Sequence, residues 1–348
     1  MQGKEFFADK LPGGMKLRDV KLTIIGFGEI GRGVARVLLE KKGFIERNYG
    51  VDLDVIAICE IDGSIIDENG IDLRETLRLA EDKKLKEHKN WCSMRAPDVI
   101  KKIKSDIVLE LTPSNIESGQ PGLRHIKESL RRGMHVVTSN KAPLALKFSE
   151  LQKIAKSNKV KLKYEATVGG ALPVINLRKH ALQINKIESI HGILNGTTNY
   201  ILTKMAEEGV TMDVALREAQ EVGIAEADPG YDIRGIDTGA KVAILANSLM
   251  DMEVSFKDIE ITGIEDITPE AIELAKKHNC VIKLIGDVNR LEVSPRLIPV
   301  NHPLNVSGAL NAIMIRADVA KNITIVGHGA GGIETASSLF SDILSILE

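Results

Sequence analysis

The chain has 348 residues, 43% hydrophobic and 27% charged, with a formal net charge of −2. That composition belongs to a globular protein long enough for two domains. It argues against nucleic acid and membrane as partners: no basic patch is interleaved with aromatics, and no apolar run reaches the ~18 residues that span a bilayer. Cys59, Cys92 and Cys280 stand far apart with no CxxC pair, a usage that suits a reducing, cytoplasmic compartment. Cys59 and Cys280 sit in apolar runs, as core residues do. The opening stretch MQGKEFFADKLPGG lacks an apolar signal core. It is expected to be a loose extension, with Met15 as an alternative start.

Strand and helix patterns alternate through the first half. Residues 21–26 (KLTIIG) predict a short buried strand, and GEIGRGVARVLLEKK opens a helix. Residues 53–59 predict a second strand, 73–85 an amphipathic segment, 106–111 a third strand and 122–132 a helix. A strand over 134–139 and a helix over 146–157 follow. Short apolar strands separated by helices imply a parallel sheet covered on both faces. The second half reads differently. Residues 160–166 predict a strand, 171–182 a helix and 187–194 a strand, then two helices over 197–209 and 212–223. Strands over 281–288, 291–300, 311–319 and 322–327 come with turn signals between them, and a helix over 333–347 ends the chain. This is the pattern of an α+β domain with a mainly antiparallel sheet.

The first strand runs into G-F-G-E-I-G, with Gly26, Gly28 and Gly31 at GxGxxG spacing and Phe27, Glu29 and Ile30 between them. The first glycine makes the tight turn, the second lets backbone approach a pyrophosphate, and the third lets helix and strand pack closely. The helix N-terminus then faces the anion. Strand before and helix after are the context that gives the motif meaning. The turn therefore predicts a Rossmann-type dinucleotide-binding domain. Glu60 and Asp62 close the second strand, where an acid bonds the ribose hydroxyls and disfavours a 2′-phosphate. This favours NAD over NADP, although Arg32 and nearby lysines could serve a phosphate. Glu60 lies further from the glycines than usual, and residues 43–51 account for this as a longer connection. Ligands of such sheets bind beyond the strands' carboxyl ends, where LTPSN and TSNKAP stand. Lys141 would project there toward the nicotinamide, or else be a surface lysine.

The stretch 226–247, EADPGYDIRGIDTGAKVAILAN, crowds Glu226, Asp228, Asp232 and Asp237 before Lys241, answered locally only by Arg234. The acids do not alternate as an EF-hand requires. Asp237 reads as an N-cap or first-turn acid of a helix whose stripe is Val242, Leu245, Ala246 and Leu249. Lys241 falls on the flank of that stripe, where partial desolvation lowers a lysine pKa toward a catalytically useful range. Asp237 lies one turn back on the same face. The acids would suit a substrate carrying an ammonium group, or would be a solvated loop.

The motifs GFGEIGRG, ELTPSN, VVTSNKAP, YEATVGGALP, GILNGTTNYIL and EADPGYDIRGIDTGAK, in this order, resemble homoserine dehydrogenase over nearly all of the chain after Lys21. The resemblance implies a reversible, NAD(P)-dependent hydride transfer between L-aspartate 4-semialdehyde and L-homoserine, on the route to threonine and methionine. It implies that Lys241 donates the proton to the carbonyl oxygen, that Lys141 lies by nicotinamide and substrate, and that Glu226, Asp232 and Asp237 hold the substrate. Thr112, Pro113 and Gly329 would adjoin the cofactor with the glycine turn. Backbone carbonyls of Glu165, Val168, Gly170 and Leu172 would hold a monovalent cation such as sodium.

The implied division is an extension over 1–20, a dinucleotide-binding domain over 21–145, and a substrate-binding, catalytic and dimerisation domain over 146–322. Residues 323–348 would return to the cofactor domain through the glycine cluster GHGAGG. A homodimer paired through the second sheet is expected, with no regulatory domain after the last helix and no kinase domain before the first strand. Two other readings fit parts of the pattern. An aspartate-semialdehyde dehydrogenase-like enzyme needs a cysteine nucleophile in a polar turn, which this sequence lacks. A dinucleotide sensor without turnover needs only the cofactor half and leaves Lys141, Lys241, Asp237 and Glu226 unexplained.

Overall fold

Two sheets organise residues 17–348, the part of the chain that this computed structural model describes. Residues 1–16, with Met15 and most of the expected extension, lie outside the described residues. The first sheet contains β1 (Arg18–Ile25), β2 (Val51–Glu60), β3 (Gly63–Ile66), β4 (Trp91–Cys92), β5 (Ile107–Glu110), β6 (His135–Thr138) and β7 (Leu162–Lys163). Their order is β4-β3-β2-β1-β5-β6-β7. The five strands from β2 to β7 in that order run parallel, and β3 and β4 add an antiparallel edge. The parallel strands are near-continuous apolar runs because helices cover both faces.

Register decides where the chemistry can sit. Ile25 pairs with Cys59 and Glu110, and Glu110 with Thr138. The strands therefore end level, and the segments that follow Gly26, Glu60, Leu111 and Ser139 emerge along one edge.

The first helix runs over Glu29–Tyr49 and ends on Gly50 in the left-handed conformation (φ 66°). Residues 43–49 are thus its last turns rather than a loop, which is why Glu60 stands so far along the sequence from the glycines. This helix packs against the C-terminal helix Gly332–Leu347, and Leu38 and Val34 share a core with Leu339 and Ile343. A Cβ on Gly33 would lie 2.4 Å from the Gly332 carbonyl oxygen. Backbone cannot yield there as a side chain can. Gly33→Ala is expected to cost about 1–3 kcal/mol and to lower the thermal midpoint, measured by calorimetry.

The second sheet contains β8 (Ile187–Ile193), β9 (Glu260–Ile261), β10 (Cys280–Asp287), β11 (Glu292–Pro299), β12 (Leu310–Ala317) and β13 (Lys321–His328). Its order is β13-β12-β8-β10-β11-β9, antiparallel except for β9 beside β11. Helices Gly196–Glu208 and Ile236–Leu249 pack against it. One continuous apolar cluster joins Val108, Val136 and Leu144 of the first layer to Val242, Leu245 and Ile313 of the second. The two sheets therefore share a core across the junction where the site lies.

Several expectations change. The strand expected over 160–166 shrinks to β7, because Glu165–Thr167 turn into a 3-10 helix, and it extends the first sheet rather than the second. The helix expected over 171–182 is confined to Val174–His180. Strands β3, β4 and β9 and the helices Ala96–Lys102 and Pro269–Lys277 were not foreseen; each is too short for its periodicity to stand out. The helix expected over 146–157 begins at Lys141 and kinks at Lys147, whose φ is −142°. Cys59 is buried, and burial pushes its thiol up to about 12. Cys280 is only half-buried, at the start of β10. No described helix is long and apolar enough to cross a membrane.

Candidate active site

The helix Ile236–Leu249 carries the two groups at the centre. Its sequence is apolar on nearly every side, and residues 237–247 are all buried. A helix apolar all round belongs inside a protein. Lys241 therefore sits within the core, not on the flank of a narrow stripe: it is 6% exposed, as is Asp237. Asp237 stands in the helix's first turn, after Gly235 in the left-handed conformation (φ 77°). The i,i+4 spacing brings Asp237 Oδ2 to 2.7 Å from Lys241 Nζ. Lys241 Nζ also donates to the Leu194 carbonyl at 2.5 Å, just beyond β8.

Lys141 arrives from the other sheet. It opens the helix Lys141–Ser157 immediately beyond β6, and its Nζ lies 3.2 Å from Asp237 Oδ1. One carboxylate thus bridges an ammonium group on its own helix and one that follows a strand of the first sheet. Burial pushes the Asp237 carboxyl up, but the Lys241 and Lys141 charges outweigh it and hold the group well below the usual carboxylate range. The Asp237 charge in turn raises Lys141 against its own partial burial, with smaller help from Asp232 and Glu226. Asp232 is half-buried, and burial plus the Asp237 charge raise its carboxyl. Glu226 is exposed at the rim. Arg234 does not answer the acids: its Nε donates to the Gly230 carbonyl instead, 3.1 Å away.

Asn195 was missed from sequence. Its Oδ1 caps the helix Gly196–Glu208 by accepting from Thr198 N at 2.9 Å. Its Nδ2 donates to Asp232 Oδ1 at 2.7 Å and to Asp237 Oδ2 at 3.0 Å. The cap was legible in the run N-G-T-T; the second duty was not, because its partners lie some 40 positions away. A further network leads to Lys141. The Lys141 N–H donates to Ser114 Oγ at 3.1 Å, and Ser114 donates to Asn140 Oδ1 at 2.8 Å. Asn140 Nδ2 donates to Thr112 Oγ1 at 3.2 Å, and Thr112 donates to the fully buried Glu110.

The glycine turn has the shape of a phosphate cradle. Gly26 adopts φ 94°, and a Cβ there would meet the Leu111 carbonyl at 2.8 Å. A Cβ on Gly28 would meet nothing within 4 Å. The space beside the second glycine is therefore open, and the helix start after it carries no side-chain cap. Free N–H groups at a helix N-terminus beside open space fit a pyrophosphate. Phe27 N donates to Glu60 Oε1 at 2.5 Å, so the β2 acid braces the turn. A cleft of about 440 Å³ beside it is lined by Gly28, Arg32, Glu60, Asp62, Lys83 and Lys84 among others. A second of about 570 Å³ contains Gly26, Thr112 and Pro113. Asp62 is exposed and engaged by Lys86 at 2.7 Å.

Glu165, Val168, Gly170 and Leu172 lie on one buried turn. The Glu165 carboxylate accepts from Ile175 N at 2.9 Å and Asn176 N at 2.6 Å, while burial pushes its pKa up to about 7. The Gly170 carbonyl accepts from Ser338 Oγ at 2.6 Å. Gly170 adopts φ 57°, and a Cβ there would be 2.6 Å from Gly329. Gly329 thus packs on this turn, at the entry to the C-terminal helix. Among the described residues there is no cluster of three or more His, Cys, Asp or Glu able to hold a metal.

Comparison with known proteins bears on this geometry. Residues 26–165 match the family model of the homoserine dehydrogenase NAD-binding domain, and residues 173–344 that of homoserine dehydrogenase. The homoserine dehydrogenase of Methanocaldococcus jannaschii is 50% identical over 331 residues, 93% of this chain and 98% of its own. An NAD(+)-dependent homoserine dehydrogenase of Pseudomonas canavaninivorans is 36% identical, over 95% of this chain and 97% of its own. The solved structure of a hyperthermophilic archaeal homoserine dehydrogenase in complex with NADPH superposes with a TM-score of 0.82 at 32% identity, over 94% of this chain and 98% of that one. Two lysines on one buried aspartate, a glycine turn open at its second position, and relatives matched nearly end to end lead to one conclusion: this chain belongs to the homoserine dehydrogenase family.

Proposed function

We propose that Lys241 is the proton donor and acceptor of an NAD(P)-dependent homoserine dehydrogenase, acting on the oxygen at C4 of L-aspartate 4-semialdehyde and L-homoserine. The observation that carries this is the buried Lys241–Asp237–Lys141 bridge at the junction of the two sheets. When bound, the nicotinamide supplies or accepts the hydride at that carbon. Lys241, fixed by Asp237 and the Leu194 carbonyl, gives its proton to the oxygen during reduction and takes it back during oxidation. Lys141, less buried and held protonated by Asp237, stabilises the developing negative charge. Asp232 and Glu226 receive the substrate ammonium, with Asn195 orienting Asp232. The test is the nicotinamide absorbance change on adding L-homoserine to the enzyme with NAD and with NADP. An enzyme that binds dinucleotide and never changes its redox state would be the sensor instead.

The finer assignments rest on the same geometry. Glu60, with Gly26, Phe27, Gly28, Glu29, Ile30, Gly31, Thr112, Pro113 and Gly329, holds the dinucleotide. A carboxylate at the β2 end repels a 2′-phosphate, which favours NAD. Glu60→Gln is therefore expected to raise kcat/KM for NADP relative to NAD about tenfold, the size of one modest charge contact. NADP preferred by the unaltered enzyme would instead assign Arg32, Lys83 and Lys84 of the same cleft to the phosphate.

The carbonyl oxygens of Glu165, Val168, Gly170 and Leu172 are neutral donors of the kind a hard monovalent cation takes. Each retains lone-pair capacity beyond the internal hydrogen bonds of the turn. The first sheet with its helices serves as cofactor domain, the second sheet with its helices as catalytic domain, and the helix Gly332–Leu347 returns to the first. The edge strand β13, with Val326 exposed, offers a route to a homodimer. Three free cysteines suit a cytoplasmic enzyme.

A further inference from the structure

Away from the active site, a cleft of about 420 Å³ opens between the helix Lys141–Ser157, β7, the helix Val174–His180 and the C-terminal helix. Four of its lining residues are lysines: Lys156, Lys161, Lys163 and Lys179. Lys163 lies at the floor, 9% exposed, and its Nζ is buried with no hydrogen-bond partner among the described residues. A buried ammonium without a partner is costly, and native structures pair such groups with a counter-charge or a ligand. Lys156 and Lys179 form the exposed rim, and neither has an ion pair among the described residues. Lys161 Nζ is already committed to the Ser345 and Ile346 carbonyls, both at 3.0 Å.

Two acids share the lining, Glu165 and Asp342, and both are engaged by backbone. Glu165 accepts from Ile175 N and Asn176 N, and Asp342 Oδ2 accepts from Glu165 N at 2.8 Å. Neither lies within ion-pair distance of Lys163. Four lysines against two acids that backbone N–H groups already engage make the lining basic. No part of the hydride-transfer site uses these lysines.

We propose that this cleft is a second ligand site, for a small oxyanion carrying two negative charges of the phosphate type, seated on Lys163 between Lys156 and Lys179. Its occupant would tie the C-terminal helix to β7 and to the turn at Glu165, and so stabilise the folded chain by mass action. The volume admits a phosphate monoester as well as the free ion. Recognition is by charge, since three flexible ammonium groups provide point charges rather than a planar fork.

The test is thermal unfolding of the full chain with saturating NAD, which occupies the glycine turn. Inorganic phosphate is titrated against chloride at matched ionic strength, then glycerol 3-phosphate in its place. A saturable rise in Tm is expected, about 2 °C at tenfold excess over half-saturation. It should vanish in Lys163→Met and weaken in Lys179→Gln. The rim position makes Lys179→Gln the informative variant if Lys163→Met fails to fold. A tighter response to glycerol 3-phosphate assigns the cleft to an ester, and an equal one to the free ion. A shift that is absent, or the same size in wild type and Lys179→Gln, overturns the proposal.

Discussion

Lys241→Ala is expected to lower kcat for homoserine oxidation by about 10²–10⁴, the range of a positioned general acid–base group. NADH affinity, read by quenching of the single tryptophan or by nicotinamide fluorescence, should stay near the wild-type value. The separation is geometric. Lys241 is held by Asp237 and the Leu194 carbonyl beside the second sheet, whereas the glycine turn is built from β1 and the helix Glu29–Tyr49. Stability will also fall, because the Leu194 carbonyl loses its donor at a cost of about 1–3 kcal/mol. A thermal midpoint measured alongside keeps that loss apart from the kinetic one. If dinucleotide affinity fell in step with turnover, the assigned role of Lys241 would be wrong.

Asp237→Asn should damage both activity and stability. Its carboxylate is what keeps Lys141 and Lys241 in one place. Removing one partner of a buried ion pair costs about 3–5 kcal/mol, since the remaining charge is left uncompensated. Misplacing a reacting group by an ångström costs on the order of 10²-fold in rate. Asp237→Asn is expected to show both effects in steady-state kinetics and chemical denaturation.

The pH dependence separates charge from shape. The Asp237 carboxyl titrates below its ordinary range when folded, so its contribution is full above about pH 3.9 and fades as pH falls through the lowered value. Lys141 is raised, so its contribution is full below about pH 10.4 and fades as pH rises through the higher value. Wild-type stability should lose the Asp237 share only in acid, and Asp237→Asn should lack that part of the acid limb. An unchanged acid limb in the variant would show that the bridge carries no stability.

Much of the fold was readable because local pattern and tertiary role agree. The strand–glycine–helix order of residues 21–31 dictated the tight turn between β1 and the first helix, and apolar strands alternating with helices dictated a covered parallel sheet. Short elements escaped. β4 and β9 are two residues each and exist only because a neighbouring strand offers them hydrogen bonds. Residues 160–166 carry strand-like composition, yet Glu165 folds into a turn whose carboxylate caps the start of the next helix through two backbone N–H groups.

The candidate site divides the same way. Sequence alone determined that Asp237 and Lys241 share a helix face, because four residues make one turn, and that Lys141 follows a strand end. Only the tertiary structure decided that Lys141 and Lys241 meet on a single carboxylate, and that Asn195 joins Asp232 to it. It also decided that Arg234 turns away from the acids and that the helix of Lys241 is enclosed on every side. The reason is physical: helical period fixes neighbours within one element, whereas contacts between residues 37 to 96 positions apart depend on how two sheets pack around a shared core.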